Sequence, residues 1–189
     1  MSARRTALRA AIPAVLGLSL LAAAPARGAG FSIYEQGAAA TAMGGAWTAV
    51  ADSPAALFYN PAGIGFQPGL GLELGDTLIV PLGSHTDPET GATTDAEVQL
   101  FYPPTFYAAY RFPCGVAVGF GFNAPYGLGM EWPDGWAGFE DVEAIDLQTF
   151  LLNPTLAWSP VEWFSFAAGF DAVRSIVSLR KGIQLFDER

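Results

Sequence analysis

Side chains able to perform catalysis are sparse in this sequence. His85, in the polar stretch GSHTDPETG, is the single histidine, and Cys114 is the single cysteine. A catalytic nucleophile needs a neighbouring base to activate it, and nothing in the sequence pairs these two residues. We therefore expect His85 to be a solvated loop residue and Cys114 a small apolar strand residue. The protein is not expected to be an enzyme.

Two further patterns point only weakly to a binding site. Carboxylates bind divalent cations, and five acidic residues cluster together: Glu131, Asp134, Glu140, Asp141 and Glu143. They lack an ordered ligand spacing, so a solvated external loop is the favoured interpretation, and neither a metal nor another cofactor is expected. The stretch GFGFNA at 119–124 loosely matches a dinucleotide fingerprint, which requires a turn between a strand and a helix. Here the glycines alternate within a predicted strand, so that interpretation is rejected.

The first 28 residues have the layout of a signal peptide. Three arginines precede an apolar run at 10–24, and small residues follow, so that cleavage fits after Ala26 or Gly28. The run is shorter than the ~20 residues of a membrane-spanning helix. From residue 29 onward, five basic and 18 acidic residues give a net charge of −13, which argues against nucleic-acid binding.

Hydrophobic alternation predicts the rest of the chain to be β-structure. Side chains alternate with a period of two residues, most clearly at 114–124, where Val116, Val118, Phe120 and Phe122 face one way and Ala117, Gly119 and Gly121 the other. About five strands are predicted, at 69–82, 98–112, 114–124, 147–158 and 163–172. Their lengths suit the ~9–11 residues with which a tilted strand crosses a bilayer. We predict an all-β fold, a transmembrane antiparallel β-barrel.

A soluble exported β-rich module, for binding or for surface structure, is the alternative, because the strands of a soluble sandwich alternate too. Sandwich strands are commonly shorter, ~5–6 residues. Aromatic residues also gather near the strand ends, as they do in membrane barrels. Short connections at 112–114 and 159–162 and long ones at 83–97 and 127–144 match the two sides of an outer-membrane barrel.

The segment 29–68, which precedes the strands, contains the stretch ADSPAALFYNPAGIG and is rich in small residues with few charges. We predict a short helix over 36–50 and a turn at Asn60, Pro61, Ala62 and Gly63, in which the Asn60 side chain bonds its own backbone. A segment of this composition suits a plug, or hatch, inside a barrel. The predicted organisation is a signal peptide at 1–28, a hatch at 29–68 and barrel strands at 69–189.

These motifs resemble the FadL/TodX family of outer-membrane transporters for hydrophobic compounds. The stretch AGFSIYEQGAAATAMGGAWTAVADSPAALFYNPAGI is similar to the family's N-terminal hatch with its Asn-Pro-Ala motif. The stretches PPTFYAAYRF, GVAVGFGFNAPYGLGMEWPDGWAG, LQTFLLNPTLAW and WFSFAAGFDAV are similar, in order, to its early strands. The resemblance implies a barrel of about 14 strands, of which this chain supplies the N-terminal part.

The resemblance also implies a mechanism and its residues. Long-chain fatty acids or aromatic hydrocarbons are captured outside, pass to a pocket near the mature N-terminus at Ala29, Gly30 and Phe31, and leave sideways into the outer-membrane lipid by passive diffusion. The exit is a gap at an inward kink in the third strand, which corresponds to Ala124, Pro125, Tyr126 and Gly127. The implied location is the outer membrane of a Gram-negative bacterium, reached with the help of the barrel-assembly machinery.

Overall fold

A computed structural model describes residues 30–183 of the chain. The predicted signal peptide and Ala29 lie outside these residues. Within the described range, three short helical elements precede or join a largely β-structure. They are α1 (Ala38–Ala42), α2 (Ala56–Tyr59) and a 3₁₀ helix (Pro61–Gly65). The strands are β1 (Gly69–Asp76), β2 (Ser84–Thr86), β3 (Thr93–Asp95), β4 (Pro104–Arg111), β5 (Val116–Asn123), β6 (Gly127–Glu131), β7 (Ala144–Val161), β8 (Phe164–Gly169) and β9 (Ala172–Arg180).

The seven long strands form one antiparallel sheet with five strand positions. β1, β4, β5 and β7 lie side by side in that order. β6 continues the line of β5 along the same side of β7, and β8 and β9 together line the other side of β7. The all-β prediction and its five strands are therefore confirmed, with the third and fifth strands each interrupted once. The fifth is interrupted where it faces Pro154, which has no N–H for the ladder.

The two faces of the sheet differ as the alternation predicted. The outer face, opposite the helices, carries large apolar side chains that are exposed, with Val118 and Phe120 of β5 being 42% and 40% exposed. The inner face carries small or polar side chains, and Ala117 is fully buried. In register with the two β5 residues on the outer face are Leu70, Leu72, Ala108, Tyr110, Pro154 and Leu156. This continuous apolar outer surface is typical of strands that face lipid.

The helical segment before β1 packs against the inner face. Leu57 of α2 and Ile64 of the 3₁₀ helix share a buried cluster with Tyr107 of β4. A β-carbon at Gly119 would lie 2.5 Å from Leu57 Cδ2 and 2.9 Å from Ile64 Cδ1. The small inward residues of β5 thus make room for the helical segment.

Several local predictions differ from the structure. The helix expected at 36–50 is only α1, because Gly44 and Gly45 adopt left-handed backbone angles, with φ of 62° and 81°, just after it ends. The loop expected at 83–97 contains the β2–β3 hairpin, and the loop expected at 127–144 begins with β6. Cys114, expected within a strand, is exposed in the turn before β5, where Gly115 also has a positive φ.

Candidate functional site

The third strand of the sheet is broken between β5 and β6. Asn123 pairs with Leu151 of β7, and Gly127 pairs with Gln148, so three residues of the third strand stand opposite two of β7. Such an insertion bends a strand locally. Pro125 lies in the break and has no N–H with which to continue the ladder. All four residues predicted as the kink, Ala124, Pro125, Tyr126 and Gly127, lie at or directly after this break, and their role in transport stays a prediction.

The break leaves an edge of β6 that β4 does not cover. The pairing of β4 with β5 reaches only to Phe106 and Phe122. Two prolines, Pro103 and Pro104, stand at the start of β4, and neither can donate a main-chain hydrogen bond. Prolines on both sides of the gap thus explain why the ladder ends there. We call the side of β6 and of the break that β4 leaves unpaired the free edge. At its far end, Glu97 N donates to Glu131 O at 2.7 Å.

The residues predicted as the mature N-terminus come to this free edge. Ile33 N donates to Pro125 O at 2.9 Å, and Gly127 N donates to Phe31 O at 3.1 Å. Ser32 and Tyr126 form the isolated β-bridge between them. Gly30 directly precedes this bridged segment, and Ala29 lies outside the described residues. Residues 31–33 therefore form a short strand segment on the free edge. This segment brings together two predicted sites that are distant in sequence, the N-terminus and the kink.

An apolar cleft of about 450 Å³ lies beside the free edge. The described residues that line it include no charged side chain. From the break and the N-terminal segment it is lined by Ile33, Ala124, Tyr126 and Gly127; further lining residues are Ile79, Pro81, Leu100, Phe101, Tyr102, Leu128, Leu147 and Phe150. A concave apolar site of this size suits a hydrophobic small molecule.

Hydrogen bonds connect the N-terminal segment to α2. Gln36 N donates to the Tyr59 hydroxyl at 3.1 Å, and that hydroxyl donates to Tyr34 O. Burial raises the pKa of Tyr59 above its usual value, so the hydroxyl stays protonated and remains a donor. The fully buried Gln36 carries a further side-chain contact to the break. The sequence analysis did not identify Gln36, because its local sequence, with Glu35 directly before it, does not distinguish it from an exposed polar residue.

The predicted hatch motif lies elsewhere. Asn60, Ala62 and Gly63 line a second cavity of about 580 Å³, and the structure does not bring this motif to the cleft at the break. Gly63 N donates to Asn60 O at 2.9 Å, so the predicted turn is present. The Asn60 side chain, however, donates to Thr48 O at 2.9 Å and makes no cap bond to its own helix, so this part of the prediction is wrong. Pro61 begins the 3₁₀ helix, where a missing N–H costs little.

A strand carboxylate also holds the helical segment. Glu73 Oε2 of β1 accepts hydrogen bonds from Ser53 Oγ at 2.9 Å and from Ala55 N at 3.1 Å, at the start of α2. The sequence analysis did not identify Glu73 either. Its signal was a charge at an inward position of β1, whose other charged residue, Asp76, lies at the end of the strand.

The residues first considered for chemistry form no catalytic or metal site in the described part of the chain. No group of three possible metal ligands is present among residues 30–183. His85 packs edge-on against Trp136, with ring centroids 5.5 Å apart, so it is less solvated than predicted. Glu131 forms an ion pair with Arg180 at 2.8 Å, which accounts for part of the acidic cluster.

Comparisons with known proteins agree with this fold. A family profile described as "Outer membrane protein transport protein (OMPP1/FadL/TodX)" matches residues 19–186. The chain is similar to the crystal structure of a Pseudomonas aeruginosa FadL homologue, with a TM-score of 0.61 and 19% sequence identity. The similarity covers 80% of this chain and 39% of that one, so the chain spans well under half of that structure. No protein of curated function matches the sequence significantly.

Among residues 30–183, no helix is long and apolar enough to cross a membrane. Two other findings decide between the two predicted classes of protein. The family match and the exposed apolar outer face contradict the soluble β-module. The chain belongs to the FadL/TodX family of transport proteins, located in the outer membrane of Gram-negative bacteria.

Proposed function

We propose that the protein takes up hydrophobic compounds, such as long-chain fatty acids or aromatic hydrocarbons, by passive diffusion through a plugged barrel with lateral exit. One observation carries this proposal. The free edge borders an apolar cleft, and a segment of three residues, 31–33, covers it through two main-chain hydrogen bonds. A ligand in the cleft can reach lipid when this segment moves away from the break.

The proposed route suits the chemistry of an apolar ligand. The cleft is lined by carbon-rich side chains, and the outer face around the third strand is apolar. A hydrophobic molecule that moves from one to the other does not return to water, which avoids the cost of hydrating its surface again. Such a step needs no catalytic residue and no cofactor, and we propose that the protein is not an enzyme.

The remaining parts receive the roles that the family resemblance implies. Residues 29–68 form the hatch, with Asn60, Pro61, Ala62 and Gly63 as its motif, and Ala29, Gly30 and Phe31 border the ligand pocket. Support comes from the packing of Leu57 and Ile64 on the inner face of the sheet. The proposed partners are the hydrophobic ligand, outer-membrane lipid and the barrel-assembly machinery.

A reversible lock on the free edge tests the proposal. Ser32 and Tyr126 are a non-hydrogen-bonded pair, since the two main-chain bonds flank them. Their Cα atoms should be roughly 4.5 Å apart, within the ~4.4–6.8 Å range that a disulfide spans. We expect S32C/Y126C, in a Cys114→Ser background, to take up radiolabelled oleate or toluene more slowly when oxidised than when reduced.

The single variants S32C and Y126C are the matched controls, because neither can form the lock. They should take up ligand at the same rate with and without reductant. Normal uptake by the oxidised pair, with the disulfide verified by mass spectrometry, would contradict exit at this edge. Absence of uptake by the unmodified protein for every hydrophobic compound tested would contradict the proposed function itself.

A further inference from the structure

Gln36 joins three parts of the molecule at one point. Its side-chain Nε2 donates to Ile33 O at 3.1 Å, in the segment on the free edge, and to Ala124 O at 2.9 Å, in the break. Its main-chain N donates to the hydroxyl of Tyr59 in α2 at 3.1 Å. The residue is completely buried, and its bond to Ala124 O is shielded from competing water, while the other two bonds are partly buried.

The segment 31–33 has few other attachments at the break. Two main-chain hydrogen bonds hold it there, and Pro125, in the middle of the break, has no N–H to add a third. A ladder this short is weak by itself. Because the Gln36 amide bridges the carbonyl groups of Ile33 and Ala124, it ties the segment directly to the break.

The bridge also leaves one polar atom unsatisfied. Gln36 Oε1 is buried and has no hydrogen-bond partner among the described residues. A buried carbonyl oxygen without a partner raises the free energy of the arrangement that buries it. The unpaired oxygen therefore lowers the stability of the covered state, while the two hydrogen bonds from Nε2 raise it.

We propose that Gln36 is the positioning residue of the free edge, and that its side-chain amide sets how often the segment 31–33 leaves the break. This role rests on the proposed function, since the free edge is there the exit path for the ligand. Gln36 does not line the cleft, so it acts through Ile33 and Ala124 and not by touching the ligand.

Hydrogen exchange measures the opening directly. The amides of Ile33 and Gly127 are bonded across the free edge, so their exchange rates report the population of the open state. Gln36→Met keeps the length of the side chain and removes both donors. We expect exchange at these two amides to rise about tenfold in Q36M, as the loss of two hydrogen bonds implies, while exchange within β5 and β7 stays unchanged.

Gln67 provides a matched control. Its Nε2 likewise donates to two main-chain carbonyl groups, Ser53 O at 2.7 Å and Ala51 O at 3.3 Å, but neither belongs to the free edge. Gln67→Met should therefore leave exchange at Ile33 and Gly127 unchanged. Equal exchange at these amides in Q36M and in the unmodified protein, or an equal rise in Q36M and Q67M, would overturn the positioning role.

The protein sample and a second variant are chosen so that each outcome supports or overturns the role of Gln36. The measurement uses the protein as its gene encodes it, in lipid nanodiscs, with folding checked by heat-modifiable gel mobility. If Q36M does not fold, Gln36→Asn, which retains the amide but shortens its reach, is held to the same expectation and the same contrary result. The exchange readout needs no ligand, so it decides the role of Gln36 even if uptake, and with it the proposed function, fails.

Discussion

The ring of Phe101 occupies the space that a side chain at Gly129 would need. A β-carbon built on this glycine of β6 would overlap the Cζ atom of the ring. Phe101 is held in place by two main-chain hydrogen bonds with Ile79, at 2.9 and 3.0 Å. Both Phe101 and Gly129 line the apolar cleft. The glycine therefore allows an aromatic ring to close one side of the cleft beside the free edge.

A double-mutant cycle tests this relationship. Gly129→Val should destabilise the protein by about 1–3 kcal/mol, the usual cost of overpacking. In a Phe101→Ala background the ring is absent, so the same change should cost at least about 1 kcal/mol less. Denaturant titration of the purified protein, followed by tryptophan fluorescence, gives the four stabilities. An equal cost of the valine in both backgrounds would show that the two residues are not coupled.

The packing of the helical segment against Gly119 of β5 gives a second prediction. Gly119→Val should push away Leu57 and Ile64, whose side-chain carbons would lie 2.5 and 2.9 Å from the new β-carbon. We expect a cost of about 1–3 kcal/mol and faster protease cleavage within residues 30–68, with the strands still protected. Val118→Ile, one residue away but on the outer face, is the control and should leave cleavage unchanged. Equal cleavage in both variants would mean that the helical segment does not depend on the absence of a side chain at Gly119.

The sequence was informative wherever a property is local. Alternation located the five strands and their two faces. The family resemblance implied the kink at 124–127, and the missing N–H of Pro125 is a local reason for a break there. The approach of Gln36 to Ala124 joins residues 88 positions apart, and nothing in either neighbourhood signals it. Pro103 and Pro104, on the other side of the gap, also lack a main-chain N–H, so the end of the ladder there could have been predicted. The interruption opposite Pro154 could have been predicted for the same reason.

The role of Asn60, Pro61, Ala62 and Gly63 as a hatch motif stays a prediction, and the sequence did not predict the contacts that these residues make. Asn60 was expected to cap its own turn, and instead it bonds to Thr48 O. The acceptor that the Asn60 amide reaches depends on where the preceding segment around Thr48 lies, and the local sequence does not determine that position. The close approach of Gly63 to Ala51 likewise depends on the path of this preceding segment.

Gly63 should matter more to stability than Asn60. A β-carbon at Gly63 would overlap the main-chain oxygen of Ala51, which cannot swing away as a side chain does. Ala51 already has a positive φ of 41°, which alanine rarely adopts, so it has little freedom to adjust. Gly63→Ala should cost about 1–3 kcal/mol, and Asn60→Ala about 0.5–1.5 kcal/mol for one hydrogen bond.

Thermal unfolding in detergent, scored by heat-modifiable mobility, ranks the two variants. Gly30→Ala serves as the control, because no atom of the described residues lies within 4 Å of a β-carbon at that position. It should unfold at the temperature of the unmodified protein. If Asn60→Ala unfolds at a lower temperature than Gly63→Ala, the packing argument for Gly63 is wrong.

Glu73 should anchor the start of α2 to β1 through its negative charge. Its Oε2 accepts from both Ser53 Oγ and Ala55 N, and hydrogen bonds to a charged acceptor are about twice as strong as neutral ones. Glu73→Gln keeps the shape and one acceptor oxygen but removes the charge, so we expect a loss of about 1–2 kcal/mol. Amide exchange at Ala55, measured by mass spectrometry, should rise by about tenfold, because the loosened contact is the one that protects it.

Glu162→Gln, an exposed residue in the turn before β8, removes the same charge without touching the helices and should leave this exchange unchanged. A rise of equal size in both variants would assign the effect to net charge and not to the anchor.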